Sequence, residues 1–199
     1  MAGRPRGIDD AAILRAAVRV MGRTGPARLT LGAVADEVGL VPGTLSQRFG
    51  SKRGLLLAVA EHGVRELAEL PARVRAEHPS PLAALAALTA GAWDGVTTAE
   101  EYAHHLAFLC ADLADPEFRR LALASQQAEA AAVRTLLDEA AAAGELHPGT
   151  DPARLAPAVQ AAVTGAGLLW AVDREGTFAG RRGAALDATL APYRREETP

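Results

Sequence analysis

The chain has 199 residues, of which 49% are hydrophobic, and its formal net charge is −3. This length favours one compact body with a small appendage over two full-sized domains. A single cysteine excludes an intramolecular disulfide, and the first residues lack the apolar segment of a secretory signal, so we expect a cytoplasmic protein.

The charge is distributed unevenly along the chain. Residues 1–55 contain nine Arg or Lys against four Asp or Glu, a net +5, whereas residues 56–199 contain 12 basic and 20 acidic residues, a net −8. A basic region beside an acidic one indicates a polyanion partner for the basic region alone. The alternative is an ordinary solvated surface.

The first 50 residues predict three helices. The first covers about residues 8–24, because apolar residues recur at helical spacing until Gly25-Pro26. Thr30 is a suitable cap for the second helix, which Gly39 ends. The third covers residues 42–49, because Pro is tolerated in a first helical turn and Gly50 follows.

The rest of the chain also reads as helices. Ser51 caps a long fourth helix that begins at Lys52, and Pro71 is expected to kink or end it. No segment alternates as a strand would, so the fold class is predicted to be all-α. Later helices are predicted to begin behind Ser80-Pro81, Thr98, Asp115-Pro116 and Asp151-Pro152, and the last to span Gly183–Tyr193.

Residues 155–172 carry no charge over 18 positions, which reaches the length of a membrane span. Six alanines and two glycines, together with Pro157, Gln160 and Thr164, lower the apolarity of this segment. We therefore interpret it as a helix buried in protein and expect no membrane contact.

The second and third helices have the outline of a helix-turn-helix. Gly39 permits a left-handed backbone at the turn, Ala35 allows the helices to cross closely, and Leu45 and Phe49 anchor the third helix. An ordinary helical hairpin is the alternative. Gln can bond adenine and Arg can bond guanine, while Thr and Ser suit phosphates. The side chains predicted to face outward from the third helix are Pro42, Gly43, Thr44, Ser46, Gln47 and Arg48.

Residues 29–62, LTLGAVADEVGLVPGTLSQRFGSKRGLLLAVAEH, resemble the N-terminal DNA-binding region of the TetR family of bacterial transcriptional regulators. The resemblance implies that the start of the third helix enters the major groove and that Thr30, Thr44 and Lys52 contact phosphates. Lys52, the only lysine of the chain, also stands at a helix N-terminus, where N–H groups attract phosphate. The residues that carry the resemblance are Thr30, Ala35, Gly39, Gly43-Thr44-Leu45, Phe49 and Ser51-Lys52.

Two positions depart from the pattern. Many family members have Tyr in place of Ser46 and His or Tyr in place of Arg48, so an operator sequence does not carry over from relatives. Arg4 and Arg6 in GRPRG are suited to a flexible arm in the minor groove, with a solvated tail as the alternative.

The resemblance also implies that the acidic body binds a small molecule. The candidate pocket residues are Trp93, Tyr102, His105 and Phe108, for each of which core packing is the alternative. Adjacent His104 and His105 point about 100° apart on a helix and do not form a chelating pair, so neither a metal nor another cofactor is expected.

Cys110 is interpreted as a small buried hydrophobe, with a redox sensor as the alternative.

The eighth predicted helix carries small side chains that would allow another helix to approach closely. With the last helix it would form a four-helix interface between two subunits, as the family does. Burial within its own subunit is the alternative. The residues predicted to lie in this interface are Ala158, Ala161, Ala162, Gly165 and Leu169.

The sequence thus predicts a three-helix DNA-binding domain in residues 1–54 and a helical domain for ligand binding and dimerisation in residues 55–199. The predicted function is that of a homodimeric repressor, released from a palindromic DNA operator by a small-molecule effector. A helical carrier or enzyme with an incidental basic region is the alternative, although no catalytic motif or phosphate loop is evident. The sequence distinguishes neither repressor from activator nor one effector from another.

Overall fold

The computed structural model describes residues 8–91 and 95–195, apart from the side chains of residues 111 and 112. Its regular structure is helical, and the only β-bridge in these ranges joins Leu146 and Arg194. The all-α prediction is therefore confirmed. The helices are α1 Asp10–Thr24, α2 Leu31–Glu37, α3 Pro42–Phe49, α4 Lys52–Glu77, α5 Pro81–Gly91, α6 Ala99–Ala114, α7 Pro116–Ala142, α8 Pro152–Asp173 and α9 Phe178–Leu190.

Side-chain oxygens cap the N-termini of several helices. Thr30 caps α2 and Ser51 caps α4, as predicted, and Asp9 and Asp151 do the same for α1 and α8. Each oxygen accepts a hydrogen bond of 2.7 to 3.1 Å from an N–H two or three residues later. These bonds satisfy N–H groups that have no partner within the helix.

The prediction that Pro71 kinks or ends the fourth helix is wrong about the end, because α4 continues to Glu77. Proline lacks the N–H that would bond to the preceding turn. Leu70 and Val74, on either side of this defect, are both 6% exposed and belong to a hydrophobic core. Their burial holds the helix together across the missing bond.

The last helix begins five residues before the predicted Gly183, at Phe178, and ends at Leu190 instead of Tyr193. The missed signal is Thr177, whose Oγ1 accepts a hydrogen bond from Gly180 N at 3.1 Å. Phe178 is also buried, so both the cap and the core fix the true start.

The described residues form two compact units with separate cores. The first unit comprises residues 8–63 and 100–122, and its core contains Ile13, Val34, Leu45 and Leu55. The second comprises residues 64–91, 95–99 and 123–195. Its core includes Leu85 of α5, Val133 of α7, Val159 of α8 and Leu186 of α9.

Helices α4 and α7 each contribute to both units. Packing therefore divides the chain differently from the predicted functional boundary after residue 54, which stays a prediction. Residues of α6 lie in the same unit as α1, α2 and α3, so the first unit is larger than the helix-turn-helix alone.

Within the described ranges, α8 is the one helix long and apolar enough to span a membrane, with a mean hydropathy of 1.5 over its best window. Core helices of soluble proteins meet the same criteria. Leu155, Val159, Val163 and Trp170 give α8 a buried face at helical spacing, which agrees with a helix that packs against protein.

Candidate nucleic-acid interface and effector-response elements

The turn between α2 and α3 has the geometry of a helix-turn-helix. Gly39 has φ +66°, a left-handed conformation that favours glycine, and Leu40 N donates to Ala35 O at 2.9 Å. Ala35 and Leu45 are both fully buried. The turn and these two anchors fix α3 on α2, Phe49 packs against the same core, and the opposite face of α3 is directed outward.

The outer face of α3 is polar and accessible. Pro42, Gly43, Ser46 and Gln47 are exposed, and Thr44 is half-buried. The side chain of Gln47 is exposed, so its amide is available to a base edge. The predicted recognition residues therefore share one surface, apart from Arg48.

Arg48 is held by α1 instead of projecting freely. Its Nη1 donates to Ile8 O at 2.8 Å and to Asp10 Oδ1 at 2.9 Å. A base contact by Arg48 would have to break these bonds, so the geometry favours Gln47 as the base-reading residue. The role predicted for Arg48 stays a prediction.

Thr30 and Lys52 flank the loop that precedes α2. Thr30 is exposed while its hydroxyl caps α2, and Lys52 Nζ donates to Ala27 O at 2.7 Å. Lys52 therefore sits beside the loop residue Arg28, which is exposed and whose Nε donates to Thr24 O at 2.8 Å. Sequence reasoning missed Arg28 as a candidate phosphate contact, although a basic residue two positions before a capping Thr was a usable signal.

Part of the N-terminal positive charge is neutralised within the first unit. Arg23 and Arg19 form ion pairs with Glu37, and the hydrogen bond from Arg23 is the main reason that the pKa of Glu37 is lowered. Arg53 pairs with Asp115 and Glu117 at 2.9 Å. The net charge of residues 1–55 therefore overstates the positive field available to DNA.

Helix α6 packs within the first unit, where Phe108 contacts the core and His105 approaches Gly22 of α1. Tyr102 is 2% exposed, and Phe108 packs on the first core and meets Phe118 edge-on at 5.9 Å. Burial lowers the pKa of His105. These side chains serve as packing groups of the first unit, so a ligand would reach them only by displacing those contacts.

His104 was not predicted as a functional residue, yet it fastens α6 to the end of α1. Its Nδ1–H donates to Gly22 O at 2.5 Å, and its ring packs against Gly25. A displacement of α6 that moves His104 would therefore break its bond to the end of α1.

Two groups of predicted site residues lie outside the described residues. They are Arg4 and Arg6, proposed for the minor groove, and Trp93, proposed for the pocket.

No group of three or more His, Cys, Asp or Glu residues suited to a metal occurs in the ranges that the structure describes.

The interpretation of Cys110 as a buried hydrophobe is wrong, because Cys110 is exposed. It lies two residues beyond the inward-facing Phe108, on another side of α6.

Helix α8 presents an apolar face to the outside of the second unit. Leu168, Leu169 and Val172 are 52%, 60% and 77% exposed. Among the predicted interface residues, Ala158 and Ala161 are also exposed, while Ala162 and Gly165 are half-buried. Exposed apolar side chains in this density are typical of surfaces that another protein covers.

Comparison with known proteins agrees with this geometry. Residues 13–59 match the family model described as bacterial regulatory proteins, tetR family. HTH-type transcriptional regulator BetI of Paraburkholderia xenovorans is 33% identical over 118 residues, covering 58% of this chain. The match covers 60% of that relative's length, so the chain spans about three fifths of the curated relative.

Solved structures resemble the chain over most of its length. The TetR transcriptional regulator SCO0520 from Streptomyces coelicolor is 26% identical with a TM-score of 0.68, covering 93% of this chain and 98% of that one. SmeT, the repressor of the Stenotrophomonas maltophilia multidrug efflux pump SmeDEF, is 24% identical with a TM-score of 0.65, covering 96% and 92%. SmeT has also been solved as a complex with triclosan. The likeness to SmeT concerns the fold.

Proposed function

The chain belongs to the TetR family of bacterial transcriptional regulators, and from this premise we propose that it is a cytoplasmic, homodimeric repressor that leaves a palindromic operator when a small-molecule effector binds. The observation that carries the proposal is the exposed polar face of α3, held on α2 by the Gly39 turn and flanked by Thr30 and Lys52.

In this proposal α3 reads the operator and the residues around it hold the phosphates. Gln47 contacts a base edge, Thr30, Thr44 and Lys52 contact phosphates, and Arg28 joins them. Lys52 would exchange the Ala27 carbonyl for a phosphate oxygen, a stronger partner because both groups are charged.

Dimerisation follows from the length of DNA that one helix-turn-helix can cover. A single recognition helix reads only a few base pairs, and a two-fold dimer places two of them on inverted half-sites at least about 34 Å apart. We propose the exposed face of α8 as the interface, with the interface residues predicted from the sequence and Leu168 and Val172 added to them.

For effector response we propose α6 as the responding helix. Tyr102, His105 and Phe108 pack within the unit that contains the helix-turn-helix. Movement of α6 would reach α1 through His104 and the first core through Phe108. SmeT, solved with triclosan, supports a small-molecule effector as a class and says nothing about which one acts here.

The rival proposal is a helical carrier or enzyme, and a DNA-binding assay distinguishes the two. Purified protein is incubated with its own upstream DNA and with a scrambled fragment of equal length at moderate salt. We expect the protein to shift the electrophoretic mobility of the upstream fragment, and competitor DNA should not abolish this shift. Equal affinity for both fragments, or no shift, would favour the carrier or enzyme.

Substitutions on α3 and α4 test which residues contact bases and which contact phosphates. Gln47→Ala should weaken the operator complex by about 1–3 kcal/mol and leave binding to scrambled DNA nearly unchanged. Lys52→Ala should weaken both complexes and reduce the slope of log affinity against log salt by about one. Gln127→Ala, a change to an exposed glutamine on α7, is the matched control. Full binding by both test variants would place the DNA contact elsewhere.

A further inference from the structure

An apolar side chain lies exposed at the start of the proposed recognition helix. Val41, the residue directly before α3, is 68% exposed. Within the described residues 8–54 it is the one large hydrophobic side chain on the surface, whereas Leu40 before it packs against the first core. Single exposed apolar residues are common on proteins, so the exposure alone assigns no role to Val41.

Val41 also occupies the N-cap position of α3, where a polar residue would serve the fold better. The N-cap residues Asp9, Thr30, Asp151 and Thr177 each accept a hydrogen bond from a backbone N–H of their own helix. Val41 has no side-chain oxygen and gives α3 no such cap. Serine, threonine, aspartate and asparagine are preferred at this position because they satisfy these N–H groups. Neither capping nor burial therefore explains a valine here.

The backbone holds this valine at a defined place. Leu40 N donates to Ala35 O at 2.9 Å, and Thr44 N donates to Val41 O at 2.9 Å. Val41 is therefore fixed both by the turn before it and by the first turn of α3. Its β-branched side chain also has few rotamers. Both features reduce the entropy that a contact with a partner molecule would cost.

The side chains at the start of α3 limit what this part of the surface can recognise. Val41, Pro42 and Gly43 are all exposed, and none has a side-chain hydrogen-bond donor or acceptor. In the major groove an aliphatic side chain still distinguishes one base, because thymine alone carries a 5-methyl group. A valine cannot bond to a phosphate or to the polar atoms of the other bases, so thymine is the base that it suits.

We propose that Val41 contacts the 5-methyl group of a thymine in the operator and so determines specificity at that base pair. This inference rests on the proposed function, because it names a base that the α3 surface recognises. The N-terminal residues of a recognition helix lie against base edges, and Val41 directly precedes the first residue of α3. Gln47 lies more than one helical turn further along α3, so the two side chains reach different bases.

The test compares binding to the upstream DNA with binding to the same fragment made with uracil, which pairs like thymine but lacks the methyl group. Fluorescence anisotropy gives the dissociation constant for each fragment. We expect the wild type to bind the thymine fragment at least about fourfold more tightly, the change that burial of one methyl group provides. Val41→Ser should reduce this ratio at least about fourfold, and Val41→Ile should keep it. Any effect of uracil on DNA shape is the same for every variant, so comparing the ratios isolates the contact of Val41.

Urea unfolding separates this contact from a structural role. Val41→Ser should leave the midpoint of unfolding unchanged or raise it, because serine is a suitable cap for α3. A lower midpoint in Val41→Ser would show that valine is needed for the fold and would overturn the inference. Leu123→Ser, a change to a side chain of α7 that is 56% exposed, is the matched control and should keep the wild-type ratio.

Two binding results would also overturn the inference. One is a wild type that binds the thymine and uracil fragments equally, and the other is a ratio in Val41→Ser that equals the wild-type ratio. The mobility shift with upstream and scrambled DNA is measured in parallel. A protein that shifts its upstream DNA specifically but gives either result refutes this inference alone, and a protein that binds neither fragment refutes the proposed function as well.

Discussion

Gly54, the third residue of α4, is at a position where no side chain fits. A Cβ there would overlap the carbonyl oxygen of Phe49, the last residue of α3. Gly54→Ala should therefore destabilise the protein by about 1–3 kcal/mol in urea unfolding, because backbone must shift to admit one methyl group. Gly63→Ala is the control on the same helix, where a Cβ meets nothing within 4 Å, and it should stabilise by about 0.5–1 kcal/mol. Equal effects of the two changes would contradict the close approach of α3 to α4.

His105 makes stability depend on pH in a definite direction. Burial lowers its pKa below the ordinary value of 6.5, so the folded state resists protonation more than the unfolded state does. The neutral ring contributes its full stabilisation at pH values above the pKa of the unfolded state. This stabilisation is lost as the pH falls towards the lower pKa of the folded state.

The measurement is the free energy of unfolding at several pH values between about 8 and about 5, a range that spans the ordinary pKa of His. The decline at acidic pH should be shallower in His105→Gln than in the wild type. His147→Gln, a change to an exposed histidine outside α6, serves as the comparison. An identical decline in wild type and His105→Gln would show that His105 does not govern this part of the pH profile.

At the residue scale, the sequence predicted which positions face outward but not what they bind within the chain. The helical spacing of Leu45 and Phe49 correctly left Gln47 on the surface. Arg48 was expected on the same surface, but its side chain bonds to Asp10, which lies 38 positions away in the sequence. Helical periodicity carries no information about such a contact, since it depends on how α1 and α3 pack.

Among the elements, helices with local signals were predictable and the exceptions depended on tertiary packing. The caps Thr30 and Ser51 and the turn glycine Gly39 act on their immediate neighbours, so the sequence alone identified them. Pro71 breaks an isolated helix, yet α4 continues because Leu70 and Val74 are buried. Tertiary burial overrides local propensity in this case, and the burial is not visible in the local sequence.

The exposed face of α8 predicts a dimer that a single bulky residue should disrupt. A Cβ at Gly165 meets nothing within 4 Å, so Gly165→Leu should fold normally as a subunit and obstruct only a partner helix. The wild type should sediment at about twice the subunit mass of 20.6 kDa, and Gly165→Leu should shift towards the monomer and lose operator affinity. Leu169→Glu, which places a charge on a side chain that is 60% exposed, should act in the same way.

Ala103→Leu, an equally bulky change at an exposed position of α6, is the control and should remain a dimer. If the wild type is a monomer at micromolar concentration and still binds its operator tightly, the interface assigned to α8 is wrong.

For the whole molecule, α4 and α7 each contribute residues to both units. Residues 52–63 of α4 lie in the first unit and residues 64–77 in the second, and α7 is likewise divided after residue 122. Arg53, next to Lys52, pairs with Asp115 and Glu117 at the start of α7, and its guanidinium lies 5.5 Å from the Phe118 ring centroid. The beginnings of both helices are therefore linked beside a proposed phosphate contact.

The last prediction concerns release from DNA. An effector lowers operator affinity only if it binds the DNA-incompetent conformation more tightly, and a hundredfold loss requires about 2.7 kcal/mol of differential binding. Phe108 connects α6 to the first core and to Phe118, so Phe108→Ala should weaken the transmission of this energy. We expect operator affinity within about threefold of the wild type, a change below 1 kcal/mol, and a clearly smaller loss of affinity on adding the effector.

Leu109→Ala, at the neighbouring position that is 41% exposed, is the control and should respond fully. Operator affinity is measured with and without a ligand found by thermal-shift screening of the wild type. An equal response of Phe108→Ala and wild type would remove Phe108 from the switch, and an operator affinity unaffected by every ligand that stabilises the fold would refute effector control itself.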